Sequence, residues 1–316
     1  MDRRLLRALA FVGLTLGIHA VLFSLYVRLV APDHQAIRTE RAVLEAPRVL
    51  DLLIVGDSHP RTALVPHLMG PGVANAAVGG EHYLKIWYRL RALIEAGDKE
   101  VGAVLLPLDA SSFSSWHAEN FAPEYVWGRY VDFFEVGAVR GKPRAYTARW
   151  VKAHLFPYAG ELRTLNQIRT RRYGFGNVLP EGRFGGHSVR DRLVLARASA
   201  WDHFHDVELI DPGLLWAFHQ ILSWASASEI RVVLVSFPIT GAYDRWSERV
   251  GAWDRVREEV IAPILADGEH LYIDDHDRFF GHDELFSDAH HLNGVGRSLY
   301  SRTLRRRLVL EGILPR

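Results

Sequence analysis

Two short stretches hold the residue types that can do chemistry together. "LLIVGDSHPRTAL", Leu52 to Leu64, runs a set of aliphatics into Gly56-Asp57-Ser58-His59. "LFSDAHHLNGVG", Leu285 to Gly296, places Asp288 three residues before His291. At a loop-to-helix transition, one turn can bring that aspartate and histidine to the same side. A carboxylate so placed holds the imidazole in one tautomer and stabilises its protonated form. The other ring nitrogen is then free to take a proton from a serine. Ser58 as nucleophile, His291 as general base and Asp288 as orienter would make such a unit, in the chain order Ser, Asp, His. Each half also has a plainer reading. A Gly-Asp-Ser turn is an ordinary strand-to-helix corner capped by Asp57 or Ser58, and Asp-x-x-His is an ordinary helix cap beside a surface histidine.

The elements around these stretches alternate. "RVLDLLIV", "GVANAAV", "VGAVLLPLD" (Val101 to Asp109), "EIRVVLVSFP" and "HLYIDD" (His270 to Asp275) read as strands. Between them, Tyr83, Ile86, Trp87, Leu90, Leu93 and Ile94 form one helical stripe. Leu214, Leu215, Phe218, Ile221, Leu222 and Ala225 form a second, and Trp246, Val250, Trp253, Val256, Val260 and Ile264 a third. A last helix starts near Asn293. Strands alternating with amphipathic helices predict an α/β fold with a parallel sheet covered on both faces. In such sheets the binding crevice lies beyond the carboxyl ends of the strands, where Ser58 and Asp109 both fall.

The segment from about 111 to 212 breaks the alternation and is rich in Trp, Tyr, Phe and Arg. It predicts a helical insertion over the crevice, whose aromatics and arginines either grip a glycan or the membrane surface, or form a small core of their own. At the other end, Ala8 to Val27 carries no formal charge and matches the ~20 residues of a membrane-crossing helix. Its exit offers no convincing cleavage site, so it reads as an uncleaved anchor. Arg3, Arg4 and Arg7 favour a cytoplasmic amino terminus, with everything after about Pro32 outside. That reading divides the chain into an anchor (1–31), a connector (32–47) and an extracytoplasmic domain (48–316). His19, inside the span, either touches a partner helix or is a tolerated polar residue.

Composition closes off other classes. The 316 residues carry a net charge of +1, so no global field favours nucleic acid. The absence of cysteine removes disulfides, thiolate metal sites and cysteine nucleophiles. "AVGG" lacks the glycine spacing of a dinucleotide or phosphate loop, and no cofactor or metal is expected. "DDHDRFFGHD", Asp274 to Asp283, has ligand types for a divalent cation but reads better as a turn.

Serine after the first strand, Asp-x-x-His after the last and an alternating pattern between them resemble the SGNH (GDSL-like) hydrolase superfamily, from about Arg48 to Leu310. The resemblance implies a flavodoxin-like three-layer sandwich with Ser58, Asp288 and His291 as catalytic residues. It also implies an oxyanion hole from the Ser58 N–H, Gly79 or Gly80, and an asparagine where this chain has Asp109. A carboxylate donates only when protonated, so Asp109 is a departure from that pattern. "GDSHPRTAL" and "HLN-x-x-G" are similar to wording in the membrane-anchored polysaccharide O-acetyltransferase branch, of the alginate-acetylation and D-alanyl-transfer type. That likeness makes Asp57, His59, Arg61 and Asn293 candidates for substrate contact. It implies a single-pass protein of the bacterial inner membrane with a periplasmic domain, partnered by a multi-span membrane-bound O-acyltransferase and acting on a polysaccharide. A carbohydrate esterase with the same triad, and a non-catalytic glycan-binding scaffold, are the alternatives.

Overall fold

The computed structural model describes residues 2–95, 97–119, 128–138, 143–156, 158, 184–205 and 207–316. Among the described residues seven strands form, in chain order: β1 (Val49–Leu50), β2 (Leu52–Ile54), β3 (Val73–Asn75), β4 (Glu100–Val101), β5 (Ala103–Pro107), β6 (Arg231–Ser236) and β7 (Leu271–Asp274). Five make an all-parallel sheet in the order β3-β2-β5-β6-β7. Counted along the chain that is 2-1-3-4-5, the flavodoxin-like winding, in which the order reverses between the first and third strands. The unbroken aliphatic runs are explained by burial on both faces: every residue of β2 and β5 is buried.

The strands expected at 48–55 and 101–109 are each split, at Asp51 and Gly102. The ladder changes partner there: β1 pairs only with β4, while the Asp51 and Leu52 N–H groups turn to the Gly72 carbonyl and β2 joins the main sheet. Leu52, Ile54, Leu105, Val233, Val235 and Ile273 share one core with Tyr300, Leu304 and Leu308 of the Gly294–Leu310 helix. Side chains alternate across a sheet, so the buried Leu53, Val104, Leu106, Val232 and Leu234 face the opposite layer. The helices Tyr83–Glu95 and Pro212–Ala227 pack on each other there, with the Tyr83, Phe113 and Phe218 rings 4.9 to 5.3 Å apart. The result is a three-layer α/β sandwich.

The chain divides into two compact units, and the sheet unit draws on Thr39–Phe121, Val139–Lys142 and Asn177–Arg316. The second unit takes its described residues from Met1–Arg38, Ala122–Ala138 and Pro143–Gly176. Of the stretch expected as an insertion, 111–119 and 184–205 fall in the sheet unit and 128–138 and 143–156 in the second. The remainder, including most of "RRYGFGNVLPEGRFGGHS", lies outside the described residues. In the second unit, the helix Arg3–Leu25 has no buried residue, and its continuation to Asp33 is long and apolar enough for a membrane span or a signal sequence. His19 is not alone on it: its Nδ1 lies 2.9 Å from the Tyr158 hydroxyl, with the Phe156 ring edge-on at 5.7 Å.

Gly56 ends β2 with φ at +132°, and a Cβ there would sit 2.5 Å from Pro107 Cδ and 2.8 Å from Pro60 Cγ. No side chain fits between those two rings. Gly56→Ala is therefore expected to destabilise the fold by more than ~1 kcal/mol, read as a lower denaturation midpoint with an unchanged m-value.

Candidate active site

Because β2 and β5 are neighbours, paired Leu53 to Val104 and Ile54 to Leu105, the loops after them open side by side at the point where strand order reverses. Gly56 lets the chain leave β2 tightly against Pro107. Asp57 then caps the Ser58–Ala63 helix, its carboxylate accepting the His59 N–H at 2.8 Å. Ser58 is the first residue of that helix and is half-buried.

The loop 286–293 approaches from the other end of the chain. Asp288 Oδ1 accepts the backbone N–H groups of His290 and His291 at 3.0 and 2.9 Å, which curls the loop around the carboxylate. The same carboxylate holds His291 Nδ1 at 2.9 Å through Oδ2. His291 Nε2 then lies 2.7 Å from Ser58 Oγ. Burial alone would raise the Asp288 carboxyl, but the His291 side chain and the two N–H groups outweigh it and hold it below the usual carboxylate value. Asp288 is thus an anion matched to an imidazole that shares the serine's proton. In this arrangement a hydroxyl can be deprotonated as it attacks an acyl carbon.

The other predicted residues divide. Gly79 and Gly80 follow β3, and Gly80 takes a positive φ of +72°. Their loop is tied down by Arg89, whose guanidinium binds both Glu81 oxygens and donates to the Ala76 carbonyl at 2.6 Å. Arg89 and Glu81 are both buried, and the apolar stripe of that helix gave no hint of the pair. Arg61 turns its guanidinium toward Gly79, and its buried Nε has no hydrogen-bond partner among the described residues. Asn293 is not placed for a substrate. Its amide donates to the Glu284 and Phe286 carbonyls and accepts the Val295 and Gly296 N–H groups, which consumes it as the cap of the last helix.

Asp109 is an acceptor, not an oxyanion donor. Its Oδ1 takes the Phe237 N–H at 2.7 Å and its Oδ2 lies 2.7 Å from His59 Nδ1. His59 is buried, with its Nδ1 turned to that carboxylate. Burial pulls the His59 imidazole down, yet Asp109, with Asp57 and Asp288 behind it, holds it up at about 9. Burial also pushes the Asp109 carboxyl up, against the pull of His59 and the Phe237 N–H. With two donors on the carboxylate, the proton of the pair belongs on His59.

Around this pair lies a cluster that sequence reasoning missed. His290 packs against His291, His203 and Tyr243 with ring centroids at 4.1, 5.1 and 5.2 Å, and the His117 ring lies 5.9 Å from His203. These histidines come from segments more than 80 residues apart, so no local spacing signals them. Burial keeps His117 down at about 4, and His203 and His290 are lowered well below an ordinary histidine for the same reason. A ring nitrogen of each of His59, His290 and His291 lies within 4.8 Å of the others, close enough for a cation. His291, however, already has Asp288 on Nδ1 and Ser58 on Nε2, so a metal there would have to displace the serine. In "DDHDRFFGHD" the acidic side chains already have partners: Asp274 has His276, and Asp275 has Arg278 and, from the last helix, Tyr300.

No family model matches the chain, and no curated protein matches its sequence. Among solved structures it is similar to a protein provisionally described as an acylhydrolase from Bacteroides fragilis NCTC 9343. That structure is 12% identical with a TM-score of 0.41, over 88% of this chain and 96% of that one. A GDSL-like lipase from Bacteroides thetaiotaomicron VPI-5482 is 10% identical with a TM-score of 0.42, over 87% of this chain and 96% of that one.

The buried neutral histidines predict acid sensitivity. Their folded pKa values lie below the unfolded value of 6.5, so below that pH the unfolded chain takes up protons that the folded chain refuses. Stability is then lost progressively as pH falls from 6.5 toward 4. Thermal melts should show Tm at pH 4.5 lower than at pH 7 by more than about 5 °C, and His117→Gln should flatten that slope.

Proposed function

We propose that this chain is a membrane-anchored serine acyltransferase of the SGNH hydrolase kind, carrying an acyl group, with acetyl the first choice, to a hydroxyl of an envelope polysaccharide outside the cytoplasm. The observation that carries the reading is the line from Ser58 Oγ through His291 to Asp288, with contacts of 2.7 and 2.9 Å. Ser58 Oγ bonds to the acyl carbon of an ester or thioester donor, and its proton passes to His291 Nε2. The carbonyl electron pair moves to oxygen, then returns as the donor's leaving group departs with that proton. In the second half a sugar hydroxyl attacks the acyl-serine, gives its proton to His291, and Ser58 takes it back as it leaves.

Two features support transfer. The apolar helix from Arg3 suits attachment beside a multi-span membrane-bound O-acyltransferase that would supply the acyl group. Trp116, His203, Tyr243 and His290 form a run of packed rings that reaches His291, the partner of Ser58, and such an apolar surface suits a sugar hydroxyl over water. Arg61, with its unpartnered Nε, serves the acceptor or the acyl oxygen. Hydrolysis of the acyl-serine by water would make the same residues an esterase.

Incubation of the full chain with a small activated acetyl ester should add one acetyl mass to the peptide bearing Ser58. Ser58→Ala, His291→Ala and Asp288→Asn should each lower that rate by at least roughly a thousandfold, and the losses should not add. A glycan acceptor should discharge the adduct faster than buffer does. Equal discharge with every acceptor would favour the esterase, and no adduct from any donor would favour a scaffold. For topology, a reporter active only after export should be active when fused after Arg316, and a reporter that works only in the cytoplasm should be silent there.

A further inference from the structure

A serine attacking an acyl group puts negative charge on the oxygen of the carbon it bonds, and that charge needs donors in a place water does not reach. Around Ser58 the backbone provides N–H groups, but the side chain at the end of β5 is Asp109, which adds negative charge. The charge is countered from an unexpected position, the residue immediately after the serine. His59 sits 2.7 Å from Asp109 through Nδ1 and is buried among Asp109, the Phe237 ring and the rings of His290 and His291 at 5.5 and 5.3 Å. A ring nitrogen of His59 lies within 4.8 Å of one of His291, which in turn lies 2.7 Å from Ser58 Oγ. Among the described residues, His59 Nε2 has no hydrogen-bond partner.

We propose that His59, clamped by Asp109, is a further catalytic residue: its Nε2–H donates to the acyl oxygen as that oxygen becomes negative during attack by Ser58. The aspartate at the end of β5 is then a working part, because it keeps a proton on the imidazole and fixes the ring. The proposal rests on Ser58 being the acylated residue. In the step itself, Ser58 Oγ bonds the acyl carbon, its proton goes to His291, and the carbonyl pair moves onto an oxygen that accepts from His59. Collapse returns that pair and expels the leaving group with the His291 proton, and His59 keeps its own proton throughout. The charges facing His59 suit this role. Asp57, Asp109 and Asp288 all favour its cation, while burial lowers His117, His203 and His290 toward their neutral forms.

The test is single-turnover acetylation of the full chain in detergent by p-nitrophenyl acetate, following nitrophenol release and the mass of the Ser58 peptide. His59→Ala should slow acylation roughly a hundredfold to a thousandfold with KM within about threefold, the mark of an interaction made in the transition state. His59→Gln, which keeps a neutral donor, should recover part of that loss. The wild-type rate should fall as pH rises through about 9, where His59 loses its proton, and that limb should be missing in His59→Gln. A His59→Ala protein that acylates at the wild-type rate would sink the proposal and leave Ser58 untouched, as would a loss confined to KM. Wild-type protein that never acylates would sink the Ser58 reading and this one with it. If His59→Ala does not fold, His59→Gln and the wild-type alkaline limb decide the matter: a Gln variant at full rate together with no limb overturns it.

Discussion

The register between β2 and β5 is the constraint on which the site depends. Leu53 stands opposite Val104 and Ile54 opposite Leu105, so the two strands end at nearly the same height and their loops open into one crevice. A glycine at 56 is what allows the first loop to turn there, because its backbone passes within a Cβ's reach of Pro107, the last residue of β5. Slipping the pairing by one residue would reverse which side chains enter each layer and separate the two loops. Ser58, His59 and Asp109 meet only because that register holds.

The electrostatics follow from where the site lies. Three aspartates, at 57, 109 and 288, sit close together and all three favour the charged form of His59. Two of them hold a histidine through Nδ1, so each imidazole has a fixed tautomer and a second nitrogen directed elsewhere. The surrounding histidines are different in kind. Without carboxylate partners at hydrogen-bond distance, His117 and His203 are kept neutral by burial. Five histidines within one neighbourhood thus divide by their partners: two are held on carboxylates through Nδ1, and the others pack ring against ring.

The glycine loop beyond β3 shows how the site is braced from behind. Arg89 and Glu81 form a buried pair that also holds the Ala76 carbonyl, and removing one partner of such a pair leaves the other uncompensated. The Gly79–Gly80 turn is therefore braced from both sides, by the helix that follows it and by Asn75 at the end of β3, whose side chain accepts the Ala77 N–H at 2.9 Å. Asn293 performs the matching task for the histidine loop, spending its whole hydrogen-bonding capacity on the 284–296 segment.

Sequence alone determined the elements and two of their ends. Aliphatic runs bounded by glycine and proline specify buried strands, 3.6-residue stripes specify the helices between them, and the uncharged stretch from Ala8 specifies a long exposed helix; all are local patterns. Ser58, Asp288 and His291 were legible because a glycine-led turn and an Asp-x-x-His spacing are short signals. Tertiary structure alone decided the rest. The pairing of His59 with Asp109 spans 50 residues and that of Arg89 with the Ala76–Glu81 loop depends on how a helix packs, so neither leaves a periodicity to read. Asn293 looked available because sequence shows a donor but not what has already claimed it. The breaks at Asp51 and Gly102 were hidden for a similar reason: strand boundaries are set by which neighbour completes the ladder, and that neighbour is distant in the chain.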